Sequence, residues 1–120
     1  MSKEDLKLSE MKKMQEELYE LNKEKWNDMN PSAAKNHLLY MVEEMGECIS
    51  IIKKKGIDLI MQKGHTRERF VEEISDVLMY YTEVLRRLEI TPEELSEAYV
   101  KKHENNLNRN YIEDNKKKYV

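Results

Sequence analysis

Along the chain, apolar residues recur every three to four positions, the spacing of a helix that buries one face. Leu8, Met11, Met14, Leu18 and Leu21 repeat in this way over a first helix spanning residues 3–26. The stretch NDMNPSAAKN, residues 27–36, interrupts it. Asn30 precedes a proline, which pushes it out of helical conformation, and Ser32 stands where a cap would. A second helix then runs to Lys55, with Leu38, Val42, Met45, Ile49 and Ile52 as its apolar stripe. Gly56 ends it behind Lys53, Lys54 and Lys55, which suit the negative end of the helix dipole. Residues 57–65 hold one short turn closed by Gly64. Thr66 is read as the cap of a third helix reaching Glu89, where Phe70, Ile74, Val77, Tyr81, Leu85 and Leu88 form the stripe. Thr91-Pro92-Glu93-Glu94 opens a fourth, with proline at its first position, that fades after Arg109. The pattern predicts an all-α fold of four-helix bundle type. It is one helical domain over residues 1–112, followed by a polar tail over 113–120.

Composition narrows the function classes. Of the 120 residues 38% are charged, and there are only three glycines and two prolines, which favours helices over strands. A net charge of −3 offers no global basic field, so nucleic acid is not an expected partner. The single cysteine, Cys48, excludes an intrachain disulfide and a cysteine-rich zinc site, and its position near the apolar stripe makes it core rather than nucleophile. No apolar run reaches membrane-spanning length and no signal-peptide core is present, so a cytoplasmic protein with no membrane partner is expected. His37, His65 and His103 show no Glu-x-x-His pattern, which argues against a di-iron bundle, while His37, beside Asn36, is a candidate substrate contact.

The chemistry concentrates in YMVEEMGECISIIKKKG, residues 40–56, where Glu43, Glu44 and Glu47 interrupt an apolar helix. On a helical wheel Glu44 and Glu47 share an arc with Asn36, Tyr40 and Ile51, while Glu43 points further round. On the third helix Glu73, Asp76 and Tyr80 line the edge of the stripe. Each helix thus offers two carboxylates at i, i+3, on one surface. Facing one another, Glu44, Glu47, Glu73 and Asp76 would supply four oxygen ligands, a set suited to Mg²⁺ or Mn²⁺ and not to zinc. The plainer alternative is a solvated acidic face, since Glu17/Glu20 and Glu94/Glu97 have the same spacing.

Glu43-Glu44-x-x-Glu47, then 25 residues, then Glu73-Ile74-Ser75-Asp76, resembles the EExxE…ExxD signature of the MazG-like all-α nucleotide pyrophosphohydrolases. Asn36 lies eight residues before Glu44, Tyr80 four after Asp76, and KHENNLNRNY resembles the family's K-x-x-x-N-x-x-R ending through Lys102, Asn106 and Arg109. The similarity covers about Trp26 to Tyr111. It implies hydrolysis of a nucleoside triphosphate between the α- and β-phosphates, giving nucleoside monophosphate and pyrophosphate. Glu44, Glu47, Glu73 and Asp76 would hold the Mg²⁺ that neutralises phosphate charge and positions the attacking water. Asn36 and Tyr80 would belong to the substrate site. Lys102 and Arg109 would meet phosphate oxygens and Asn106 would donate to them; the alternative for these three is a solvated helix face. Trp26 would stack on a base or simply pack. Glu43 takes a supporting or purely surface role. The resemblance also implies a homodimer or homotetramer with the pocket at or near a subunit interface, the faces around Tyr40 and Ile51 being paired there, and a housecleaning role in the nucleotide pool. A phosphoribosyl-ATP pyrophosphohydrolase shares similar acidic motifs. A non-catalytic helical interaction protein is the alternative from another class.

Overall fold

A computed structural model describes residues 5–26 and 29–109. They are all-helical, with no strand among them. The order is α1 (Leu8–Asn22), a 3₁₀ turn (Pro31–Ala33), α2 (Ala34–Lys55), α3 (Ile57–Met61), α4 (His65–Arg87) and α5 (Pro92–Leu107). The short turn expected before the third long helix is thus a helix of its own, giving five. The first helix, expected over residues 3–26, is shorter, since residues 5–7 and 23–26 are not helical; residues 3–4 and the polar tail over 113–120 lie outside the described residues. The chain divides into two compact units, one ending at Glu89 and one beginning at Ile90.

Local chemistry sets the boundaries. Asn30, extended before Pro31, accepts through Oδ1 from the Ala33 N–H at 3.0 Å and from the Ser32 hydroxyl at 2.6 Å. The cap is therefore Asn30 and not Ser32, because the residue held out of the helix by the proline is the one free to turn back. Gly56 closes α2 at φ 85°, a conformation that disfavours any Cβ, with its N–H on the Ile52 carbonyl at 2.9 Å. Thr66 does not cap α4: Gly64 turns the chain two residues earlier, and its carbonyl receives the Glu68 N–H at 3.0 Å. Thr91 does cap α5, accepting from the Glu94 N–H at 3.1 Å with Pro92 at the first helical position.

Within the first unit α2 packs along α4, α1 lies against α4, and α3 touches both α2 and α4. The faces that meet coincide only in part with the apolar stripes expected from periodicity: Ile52 on α2 and Phe70, Val77, Tyr81 and Leu85 on α4 are half-buried. On α2 the inward arc carries His37, Glu44, Cys48 and Ile51, with Cys48 and Ile51 buried. Val42 is 58% exposed and Ile49 57%, and Leu38 and Met45 are exposed as well. On α4 the buried residues are Thr82, Glu83, Val84 and Arg87, while Ile74 and Leu88 are exposed. On α1 the buried residue is Gln15, and Leu21 is 82% exposed. Of the two residues whose faces were expected to pair between subunits, Ile51 is buried in the core and Tyr40 is 39% exposed and lines a cleft. Periodicity locates an amphipathic face but not what covers it, and here polar partners won the inner position.

Those polar partners satisfy one another. Glu83 accepts from Arg86 Nη1 at 2.9 Å and from Arg87 Nε at 3.1 Å, with the Arg87 side chain wholly shielded. Arg86 also reaches the Gln15 carbonyl, and both guanidinium groups lie over the Tyr19 ring, 5.6 Å and 6.0 Å from its centroid. The Tyr19 hydroxyl in turn accepts from the Met29 N–H at 3.1 Å. This cluster fastens α1 to α4 and draws back the chain that follows α1.

Candidate metal and ligand cleft

The α2–α4 seam positions the acids. Glu44 lies one turn before Cys48 and one after Tyr40, in the middle of the inward arc, so helix packing carries its carboxylate toward α4. From α4, Glu73 and Asp76 lie one turn apart on the facing surface. Oxygens of Glu44, Glu73 and Asp76 all come within 4.8 Å of one another. Each of the three is partly buried. Glu47 is outside this group and exposed, though near enough to act electrostatically on Glu44.

The proximity leaves an electrostatic signature. Burial first, then a hydrogen bond with the Glu73 side chain and repulsion from Asp76, Glu73 and Glu47, raises the Glu44 carboxyl above the ordinary glutamate range. The Cys48 thiol is pushed up by burial and by Glu73 and Glu44, which keeps it a neutral core group. Tyr80 is likewise raised by burial and by Glu44 and Asp76.

Glu44 and Asp76 lie on the wall of a cleft of about 530 Å³, whose other lining residues include Trp26, His37, Tyr40, Met79, Tyr80, Glu83 and Arg87, with Gln15, Leu18 and Lys25 from α1 and the segment after it. Of the residues singled out from sequence, Glu44, Asp76, Tyr80, Trp26 and His37 line this cleft, and Glu73 joins through the carboxylate group. Asn36 is exposed on α2 and outside the lining. Lys102 and Asn106 stand at i, i+4 on α5 of the second unit, and the Arg109 N–H bonds the Asn106 carbonyl at 3.3 Å.

Sequence reasoning did not single out Gln15, Lys25, Met79, Glu83 or Arg87 for this cleft. Glu83, Arg86 and Arg87 did carry a signal, an acid with bases at i+3 and i+4, but ion pairs of that kind are usually solvated. Comparison with protein-family models, curated proteins and solved structures finds no match.

Proposed function

We propose that this chain is a Mg²⁺-dependent nucleoside triphosphate pyrophosphohydrolase, cleaving between the α- and β-phosphates to release nucleoside monophosphate and pyrophosphate. The observation that carries the reading is the convergence of Glu44, Glu73 and Asp76 from two helices, beside a cleft of nucleotide size. The donor set fits the ion: three carboxylates, with no nitrogen or thiolate among them, suit a hard divalent cation that takes oxygen ligands and keeps waters. Bound there, Mg²⁺ or Mn²⁺ would supply charge neutralisation to the phosphates and acidity to water.

The rest is the work of the chain's own groups. A cation entering there would favour the ionised form of Glu44, opposing the burial and repulsion that raise it. Glu47, one turn from Glu44 and open to solvent, is the carboxylate left to take the proton of the attacking water. The cleft's aromatic lining would hold the rest of the nucleotide. Lys102, Asn106 and Arg109, in the second unit, keep the phosphate-binding role that the resemblance implies for them. A homodimer or homotetramer is part of this proposal, supported by the outward apolar stripes of α1, α2 and α4. So is housecleaning of the cytoplasmic nucleotide pool.

The test is product identity. Incubation with Mg²⁺ and a panel of ribo-, deoxy- and modified triphosphates, phosphoribosyl-ATP included, should yield monophosphate and pyrophosphate by chromatography. Activity should vanish with EDTA and return with Mg²⁺ or Mn²⁺. Diphosphate and free phosphate as first products would reject the mechanism. No turnover of any substrate would favour the interaction protein, a reading the exposed apolar stripes also accommodate.

A further inference from the structure

The cleft has a second chemical character besides its acids. His37 and Tyr40 meet edge to face with centroids 5.5 Å apart, and Tyr80 lies 6.1 Å from His37 and 5.7 Å from Tyr40. These three rings and Trp26 line the same cleft as Glu44 and Asp76. Both ring nitrogens of His37 are shielded from solvent and neither has a hydrogen-bond partner. A shielded polar atom left in that state costs about 1–3 kcal/mol, so the arrangement calls for a physical reason.

We infer that His37 is the specificity-determining contact of the cleft, receiving the polar edge of a planar heterocycle of the nucleobase class. The inference rests on the nucleotide reading of the site and deepens it. Burial, and secondarily the Arg87 guanidinium, lowers the basicity of His37 and holds it as neutral imidazole near pH 7, with Glu83 pulling weakly the other way. A neutral imidazole carries one N–H donor and one lone pair, and so complements an edge with an acceptor and a donor. Glu83 is already engaged by Arg86 and Arg87 and does not compete for the imidazole N–H. Tyr40 and Tyr80, the rings flanking His37, are the side chains that turn to admit the heterocycle and then stack on it. A site that hydrogen-bonds one edge discriminates strongly against edges that leave its groups unpaired.

Trp26, the only tryptophan, lines this cleft, so its fluorescence reports occupancy. The full chain is titrated, without metal, with adenosine, guanosine, cytidine and uridine. Saturable quenching is expected, with affinities spread by about tenfold or more between best and worst base, the value of one net hydrogen bond. His37→Phe keeps a ring and removes the hydrogen bonds: it should narrow the spread to about twofold without lowering the melting temperature. His37→Gln, which keeps a donor and an acceptor in a different placement, should change the order of preference. Unchanged order and spread in both variants, or no saturable quenching by any nucleoside, would overturn the inference. Nucleosides contain no anhydride, so failure to hydrolyse triphosphates leaves this readout intact. Conversely, a working pyrophosphohydrolase whose base preference ignores His37 would sink this inference alone.

Discussion

Replacing Asp76 by asparagine keeps the shape of the side chain and removes one charge from the triad. Two unit charges at the 4.8 Å that bounds the group repel by about 0.9 kcal/mol at the permittivity of water and about 3.5 kcal/mol at an effective value of 20. The three acids are only partly buried, so the lower part of that range applies. Repulsion within the group already raises the Glu44 carboxyl, which reduces the charge that Asp76 faces. The substitution should then stabilise the metal-free protein by about 1 kcal/mol, a rise of roughly 3–5 °C for a chain of this size. Added Mg²⁺ should reverse the order. At ten times its dissociation constant the ion stabilises the parent by about 1.4 kcal/mol, while the variant, one ligand short, gains less. Melting both proteins by circular dichroism, with EDTA and then with increasing Mg²⁺, reads the crossing directly. A drop of several degrees for the variant in EDTA would refute the reasoning and make Asp76 a structural partner.

Other perturbations separate the roles of the remaining acids. Glu44→Gln should abolish Mg²⁺ binding by calorimetry, Glu47→Gln should weaken turnover more than binding, and the solvent-facing Glu17→Gln and Glu94→Gln should leave both unchanged, at about 0.3–1 kcal/mol of helix stability at most. Because the folded protein raises Glu44 above its ordinary range, it holds a proton the unfolded chain has released, so this carboxyl costs stability as pH rises through and above that range. The melting-temperature advantage of Glu44→Gln over the parent in EDTA should therefore grow from acid toward neutral pH, and a flat difference would deny the shift. Glu83→Ala removes the acceptor that Arg86 and the shielded Arg87 share and should cost about 3–5 kcal/mol in chemical denaturation; a loss below about 1 kcal/mol would place the pair in solvent.

The helices were legible because capping and breaking are local. Pro31, Gly56, Gly64 and Thr91-Pro92 act within a few residues of themselves, and the boundaries fell within a turn of where those residues put them. Facing is not local. The rows Leu38–Val42–Met45–Ile49 and His37–Glu44–Cys48–Ile51 both have helical spacing, and only the sequence of α4, with Glu83 and Arg87 to be housed, decides between them. The acidic pairs were legible as spacing on each helix. That Glu44 joins Glu73 and Asp76 while Glu47 stays outside depends on the rotation of α2 about its axis, to which an i, i+3 pattern is blind. The state of the His37 nitrogens was illegible for another reason: it lies in what they fail to touch once the helices pack.

The packing of the first unit also sets how it should unfold. Among the described residues its shielded apolar side chains are few and mostly small: Ala33, Ala34, Cys48, Ile51, Ile60 and Val84. Heat capacity and denaturant sensitivity both scale with the apolar area that unfolding exposes. An isolated chain built this way should melt over a broad range, with a shallow urea slope and a heat-capacity increment well below the roughly 1.4–1.8 kcal/mol/K that 120 residues ordinarily give. Scanning calorimetry across a dilution series turns that into a gauge of cover: wherever Val42, Ile49 and Leu21 are enclosed, the increment climbs toward the ordinary value.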